Sequence, residues 1–133
     1  MSYAAAALQA AVYSALVADE PLSDLVGSAI YDAEPGAPPP LYVALGPERV
    51  VDASDATASG AVHTVVVSVV TEGQGFAPAK AAAARISEVL DGSILPLTRG
   101  RVVNAAFQRA RARRDRRDDL RRIDLTFRYR TDQ

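Results

Sequence analysis

The last third of the chain carries a strict two-residue alternation, and this pattern restricts the fold more than any other feature. Ile123, Leu125, Phe127 and Tyr129 alternate with Arg122, Asp124, Thr126, Arg128 and Arg130. Successive side chains of a strand point to opposite faces, so the segment offers one apolar and one charged face. On a helix the same residues would scatter around the axis. Upstream, Val103, Ala105 and Phe107 alternate with Val102, Asn104, Ala106 and Gln108, and the same parity places Arg109, Arg111 and Arg113 on the face of Phe107. Between the two runs lies Arg113-Arg114-Asp115-Arg116-Arg117-Asp118-Asp119. The spacing predicts a long C-terminal β-hairpin with a charged tip.

A second strand signal is the valine-rich run Val62 to Thr71, whose β-branched residues occupy both faces. That predicts a central strand, or one whose second face meets another subunit. Leu41 to Val51 reads as a strand interrupted at Gly46-Pro47, and Ile30-Tyr31-Asp32 as a short one. Asp52 to Gly60 reads as a loop, and Pro35 to Pro40 as a stiff connection.

Two helices complete the pattern. The first covers about residues 3–18, capped by Ser2, with Leu8, Val12, Ala15 and Leu16 on one stripe. Asp19-Glu20-Pro21 stops it, and Leu22 to Val26 adds one turn closed by Gly27. The second starts with Pro78 in its first turn and runs to Leu90, with alanines giving it a thin apolar side. The order predicts one α+β domain over residues 1–133: a mainly antiparallel sheet, two helices packed on one face, and the C-terminal hairpin.

Charge is sorted along the chain. The net charge is -1, from 15 basic and 16 acidic residues, but the average conceals a split. Residues 1–98 hold only Arg49, Lys80 and Arg85 against 11 acids, while residues 99–133 hold 12 arginines against five aspartates. An acidic body and a basic arm suit a head-to-tail oligomer, whose interface needs two different complementary patches. Arginine outnumbers lysine 14 to 1, which favours bidentate pairing with carboxylates. The candidate subunit or tube interface is therefore Val66, Val70, Arg109, Arg111, Arg113, Arg114, Arg116, Arg117, Arg122 and Arg128. The alternative is a small nucleic-acid-binding module using the same arginine-rich hairpin. The interspersed aspartates and the lack of aromatic residues at the tip weigh against that alternative.

Catalytic chemistry finds little support. The chain has no cysteine and one histidine, His63, with no paired nucleophile. Gly73, Gly75 and Lys80 sit between strand and helix, but Pro78 removes a backbone amide and Lys80 precedes alanine, so a phosphate loop is not formed. Asp32, Glu34 and Glu48 have no metal-ligand spacing. The expectation is a protein that is no enzyme, with no cofactor and no metal. No apolar run approaches the roughly 18 residues that span a bilayer, so no membrane partner is expected. The first residues lack the basic region of an export signal.

The motifs occur in a particular order. Leu8, Val12 and Leu16 are followed by Leu25-Val26-Gly27, Ile30-Tyr31-Asp32 and Pro40 to Gly46. Gly60-Ala61-Val62-His63-Thr64 leads the valine strand, Ala79 to Leu90 precedes Arg101-Val102-Val103-Asn104, and the closing strand ends at Tyr129. This order resembles the tail-terminator, or tail-completion, proteins of long-tailed phages and phage-derived gene transfer agents. The resemblance spans nearly the whole chain. It implies a virion protein assembled in the bacterial cytoplasm, forming a homo-oligomeric, hexameric ring. Such a ring caps the tail tube protein and meets a head-side connector or adaptor, with DNA passing through the lumen. It brings no catalytic residue.

Overall fold

The computed structural model describes residues 4–53, 60–73, 75–116 and 119–132. Helix α1 (Ala4–Ala18) buries Leu8, Val12 and Leu16 completely, the stripe read from their spacing. The expected Ser2 cap, the expected loop's residues 54–59 and Arg117 lie outside the described residues.

Asp19-Glu20-Pro21 ends α1 and also starts α2 (Glu20–Val26). The Asp19 carboxylate accepts the Leu22 N–H at 3.0 Å, and Pro21 sits in the first turn, where its missing N–H costs nothing. Gly27 closes the helix with φ 62°, a conformation that disfavours a side chain. Among the described residues three helices, not two, therefore pack on the sheet.

The strands are β1 (Ile30–Tyr31), β2 (Leu41–Asp52), β3 (Gly60–Glu72), β4 (Arg101–Asp115) and β5 (Leu120–Asp132), with α3 (Ala77–Leu90) between β3 and β4. Their spatial order is β1-β2-β3-β5-β4. The short β1–β2 pair is parallel and all other pairs are antiparallel, so the α+β class and the C-terminal hairpin are as read from the alternation. β3 lies at the centre of the sheet, the position its β-branched run predicts.

One face of the sheet carries the helices. Val65, Val67 and Val69 of β3 join Ile123, Leu125, Phe127 and Tyr129 of β5 in one cluster with α1, α2 and α3. Ala79, Ala82 and Ala83 let α3 lie close enough for Ile86 and Leu90 to be fully buried. Each such aliphatic side chain contributes roughly 1.5–3 kcal/mol through removal from water.

Three irregularities set the facing of the outer strands. β2 shifts register between Leu45 and Glu48, at Gly46-Pro47. A Cβ on Gly46 would stand 3.2 Å from the Val66 Cβ, so glycine allows the close approach there. β4 shifts twice, between Val102 and Asn104 and between Phe107 and Arg109. Each shift inserts a residue and reverses the parity that follows. Val102, rather than Val103, is consequently buried with Ala105. Phe107 remains opposite Phe127, but Arg109, Arg111 and Arg113 turn to the other face, away from Phe107. Uninterrupted alternation, the expectation from the sequence, places them together.

Candidate assembly interface

Among the described residues, no helix lies over the face opposite α1, α2 and α3. Cross-strand partners share a face, so the register maps it row by row. Arg49, Thr64, Arg128 and Ala106 form one row. Val66, Thr126 and Arg109 form the next; then come Ala44, Ser68, Asp124 and Arg111, and then Tyr42, Val70, Arg122 and Arg113.

One end of this face is closed by the chain itself. Glu34, on the connection before β2, accepts from the Tyr42 hydroxyl at 2.8 Å and from Arg122 Nη2 at 2.5 Å. Beneath it Ala29, Tyr42, Ala44 and Val70 are buried together, with Tyr31 edge-on to Tyr42 at 6.2 Å. Arg122 is gripped at one end only, since its buried Nε has no partner among the described residues. Desolvation opposes the charged form of Glu34, but the hydrogen bonds from Arg122 and Tyr42 outweigh it and hold the carboxyl below its ordinary value. Burial, reinforced by Glu34, pushes the Tyr42 hydroxyl up to about 12.

Asp124 is also occupied. It accepts from Ser68 Oγ at 2.7 Å and from Arg113 Nε at 3.0 Å. Burial opposes its charge, yet these bonds set its carboxyl below the ordinary value. Elsewhere Arg114 meets Asp119 at 3.1 Å, and Arg121 bonds the Gly73 carbonyl and lies over the Phe76 ring.

The predicted interface residues thus separate into groups. Val70 is fully buried within its own chain, and Val66 is half-buried on the open face. Arg113, Arg114 and Arg122 have partners in the same chain, and Arg117 lies outside the described residues. Arg109, Arg111, Arg116 and Arg128 are exposed and have no partner among the described residues. Arg49 belongs with them on the open face and was missed. It stands alone in an acidic stretch, and only the parity change at Gly46-Pro47 signals where it points.

The distal part of the hairpin has little around it. The Gly92 N–H bonds the Ala105 carbonyl and Asp91 accepts the Phe107 N–H, both at 2.8 Å, so the segment after α3 covers the β4 edge as far as Phe107. Beyond that point Ala110 and Ala112, on the helix side, are exposed.

Residues considered for catalysis have structural roles. His63 is fully buried between Glu48 at 3.2 Å and Thr131 at 2.9 Å, tying β2, β3 and β5 together. Glu48 faces the helix side with His63, while Glu34 lies on the open face, so the carboxylates do not converge. No group of metal-ligating side chains occurs among the described residues. Lys80 lies over the Phe76 ring at 6.0 Å. A shallow groove of about 410 Å³ between α1 and Leu95-Pro96 has only Ser14 and Thr98 as polar lining residues. No described helix is long and apolar enough to cross a membrane.

These features define an α+β protein built for contact, with a charged projecting hairpin and an uncovered sheet face. A family profile described as tail completion protein gp17 matches residues 10–132, and the chain belongs to that family. Membership makes it a structural component of a virion rather than an enzyme. Among solved structures it is similar to a chain from the virion of a native gene transfer agent particle. The two share 57% identity and a TM-score of 0.92, with 99% of this chain and 100% of that one covered. No curated protein matches it.

Proposed function

We propose that the chain forms a homo-oligomeric ring, hexameric by the family resemblance, that caps the tail tube of a phage-like particle and joins it to the head-side connector. The observation that carries this reading is the β4–β5 arm, which extends past the cover of its own helices with Ala110 and Ala112 exposed on the helix side. Exposed small residues next to Phe107, which is 38% exposed, suit burial against a neighbour. The neighbour's complement is its acidic body, where Glu20 and Asp24 lie exposed one turn apart on α2, opposite in charge to Arg116 at the tip. β3 is flanked on both edges, so it does not contribute to the ring by strand pairing.

Native mass spectrometry tests the reading on the full chain, alone and with tail tube protein added. A ring is expected, and Ala110→Glu with Ala112→Glu leaves a folded monomer, because exposed substitutions cost little stability. A monomer at high concentration, with no ring even on added tube, overturns it.

A further inference from the structure

We infer that the open sheet face is a sequence-independent binding surface for the phosphate backbone of duplex DNA, held by Arg49, Arg109, Arg111 and Arg128. The inference goes beyond the assembly role and concerns the single subunit, so it stands or fails apart from ring formation. Three observations carry it.

First, the arginines of this face divide by partner. Arg113 and Arg122 are neutralised by Asp124 and Glu34, and Arg130 is held by the Ala53 carbonyl at 3.2 Å and lies near Asp132. Arg49, Arg109, Arg111 and Arg128 are exposed and have no partner among the described residues. Asp124 and Glu34 are each already bonded within the chain. Among the described residues the patch therefore carries uncompensated positive charge, although the chain as a whole is nearly neutral.

Second, the spacing fits a dense line of anions. Arg49 and Arg128 flank Thr64 in one row, two strand separations or about 10 Å apart. Arg109 and Arg111 follow in the next two rows, about 7 Å and 14 Å further along. Duplex DNA carries one charge per about 1.7 Å of axis, so about 14 Å presents about eight phosphates, roughly half of them toward one side. Four arginines match about four phosphates. The free carboxylates Glu20 and Asp24 of a second copy would supply only two on one helix.

Third, the floor between these arginines is made of small side chains: Thr64, Val66 and Ala106 are half-buried, and Ser68 and Thr126 lie buried between them. It lets a backbone approach, and no aromatic ring projects from these rows to stack a base, since Tyr42 is buried and bonded to Glu34. Contacts to phosphate position a duplex without reading its sequence.

The test is fluorescence anisotropy of a labelled random-sequence duplex with the full chain, titrated with salt. Four contacts give a slope of log K against log salt of about -3.6, or about 150-fold weaker binding between about 50 and 200 mM salt. Arg128→Gln should reduce the slope by about 0.9 and the quadruple glutamine variant should abolish binding, whereas Lys80→Gln on α3 leaves the slope unchanged. Circular dichroism confirms that each variant is folded. Undetectable duplex binding at low salt overturns the inference, as does an equal effect of Lys80→Gln and Arg128→Gln. Binding of polyglutamate but not of duplex would assign the face to an acidic protein partner and overturn it too.

Discussion

Replacing Phe127 with alanine should destabilise the chain by about 3–5 kcal/mol, because the side chain is fully buried and the strands around it cannot close the gap. Its ring meets Phe107 edge-on, with centroids 5.8 Å apart and planes at 66°. Phe107 is 38% exposed and lies at the edge of the cluster, so Phe107→Ala should cost only about 1–2 kcal/mol. The ring pair adds a coupling of about 0.5–1.5 kcal/mol, so the double variant costs less than the two single effects together. Urea unfolding followed by circular dichroism, at one protein concentration, reads all four corners of the cycle. With an m-value of about 2 kcal/mol per molar, Phe127→Ala moves the midpoint by about 2 M. If that variant does not fold, Phe127→Leu, at about 1–1.5 kcal/mol, preserves the comparison. The bulge follows Phe107, so this ring stays over Phe127 while the arginines beyond it turn to the opposite face. Equal costs for the two alanine variants, or no coupling between them, would refute this arrangement.

Asp19→Ala should cost about 1 kcal/mol more than Asp19→Asn in the same urea assay, since asparagine retains the cap on α2; equal losses would show that the cap contributes nothing. Acid should destabilise the fold. The Arg85 hydrogen bond, opposed by desolvation and aided by the Leu22 N–H, lowers the Asp19 carboxyl; Glu34 and Asp124 are lowered as well. Their stabilisation is complete above the unfolded values near pH 4 and is lost as pH falls through the lower folded values. Urea midpoints that stay level from about pH 5 down to 2 would contradict this, and Glu34→Gln with Asp124→Asn should shallow the decline. Burial pushes Tyr42 and Tyr129 up to about 12, so both keep their protons above about pH 10, where an unfolded chain loses them. Stability therefore falls as pH rises from about 10 to 12, and spectrophotometric titration should show late phases that Tyr42→Phe and Tyr129→Phe each remove.

Much of the architecture was legible locally. The stripe of Leu8, Val12 and Leu16, the valines of β3 and the alternation of β5 each express burial on one face of one element. The start of α2 was readable in its chemistry, an aspartate three residues before Leu22 with proline in the first turn, but reads equally as a stop. Val70 counted as an interface residue because a valine on the second face of a strand looks uncovered. The connection carrying Glu34 folds over it, a contact between segments far apart in the chain.

By itself, then, the sequence determined the α+β class, the element order, the apolar face of β5 and the sorting of acidic body from basic arm. These depend on periodicity and composition, which act within a few residues. The tertiary structure decided which way β4 and β2 face and which arginines remain free. A bulge is defined only against a partner strand, and one inserted residue reverses every side chain beyond it. Whether an arginine is neutralised depends equally on what lies across the sheet: Arg113 finds Asp124 and Arg122 finds Glu34, while Arg49, Arg109, Arg111 and Arg128 find no acid of their own among the described residues.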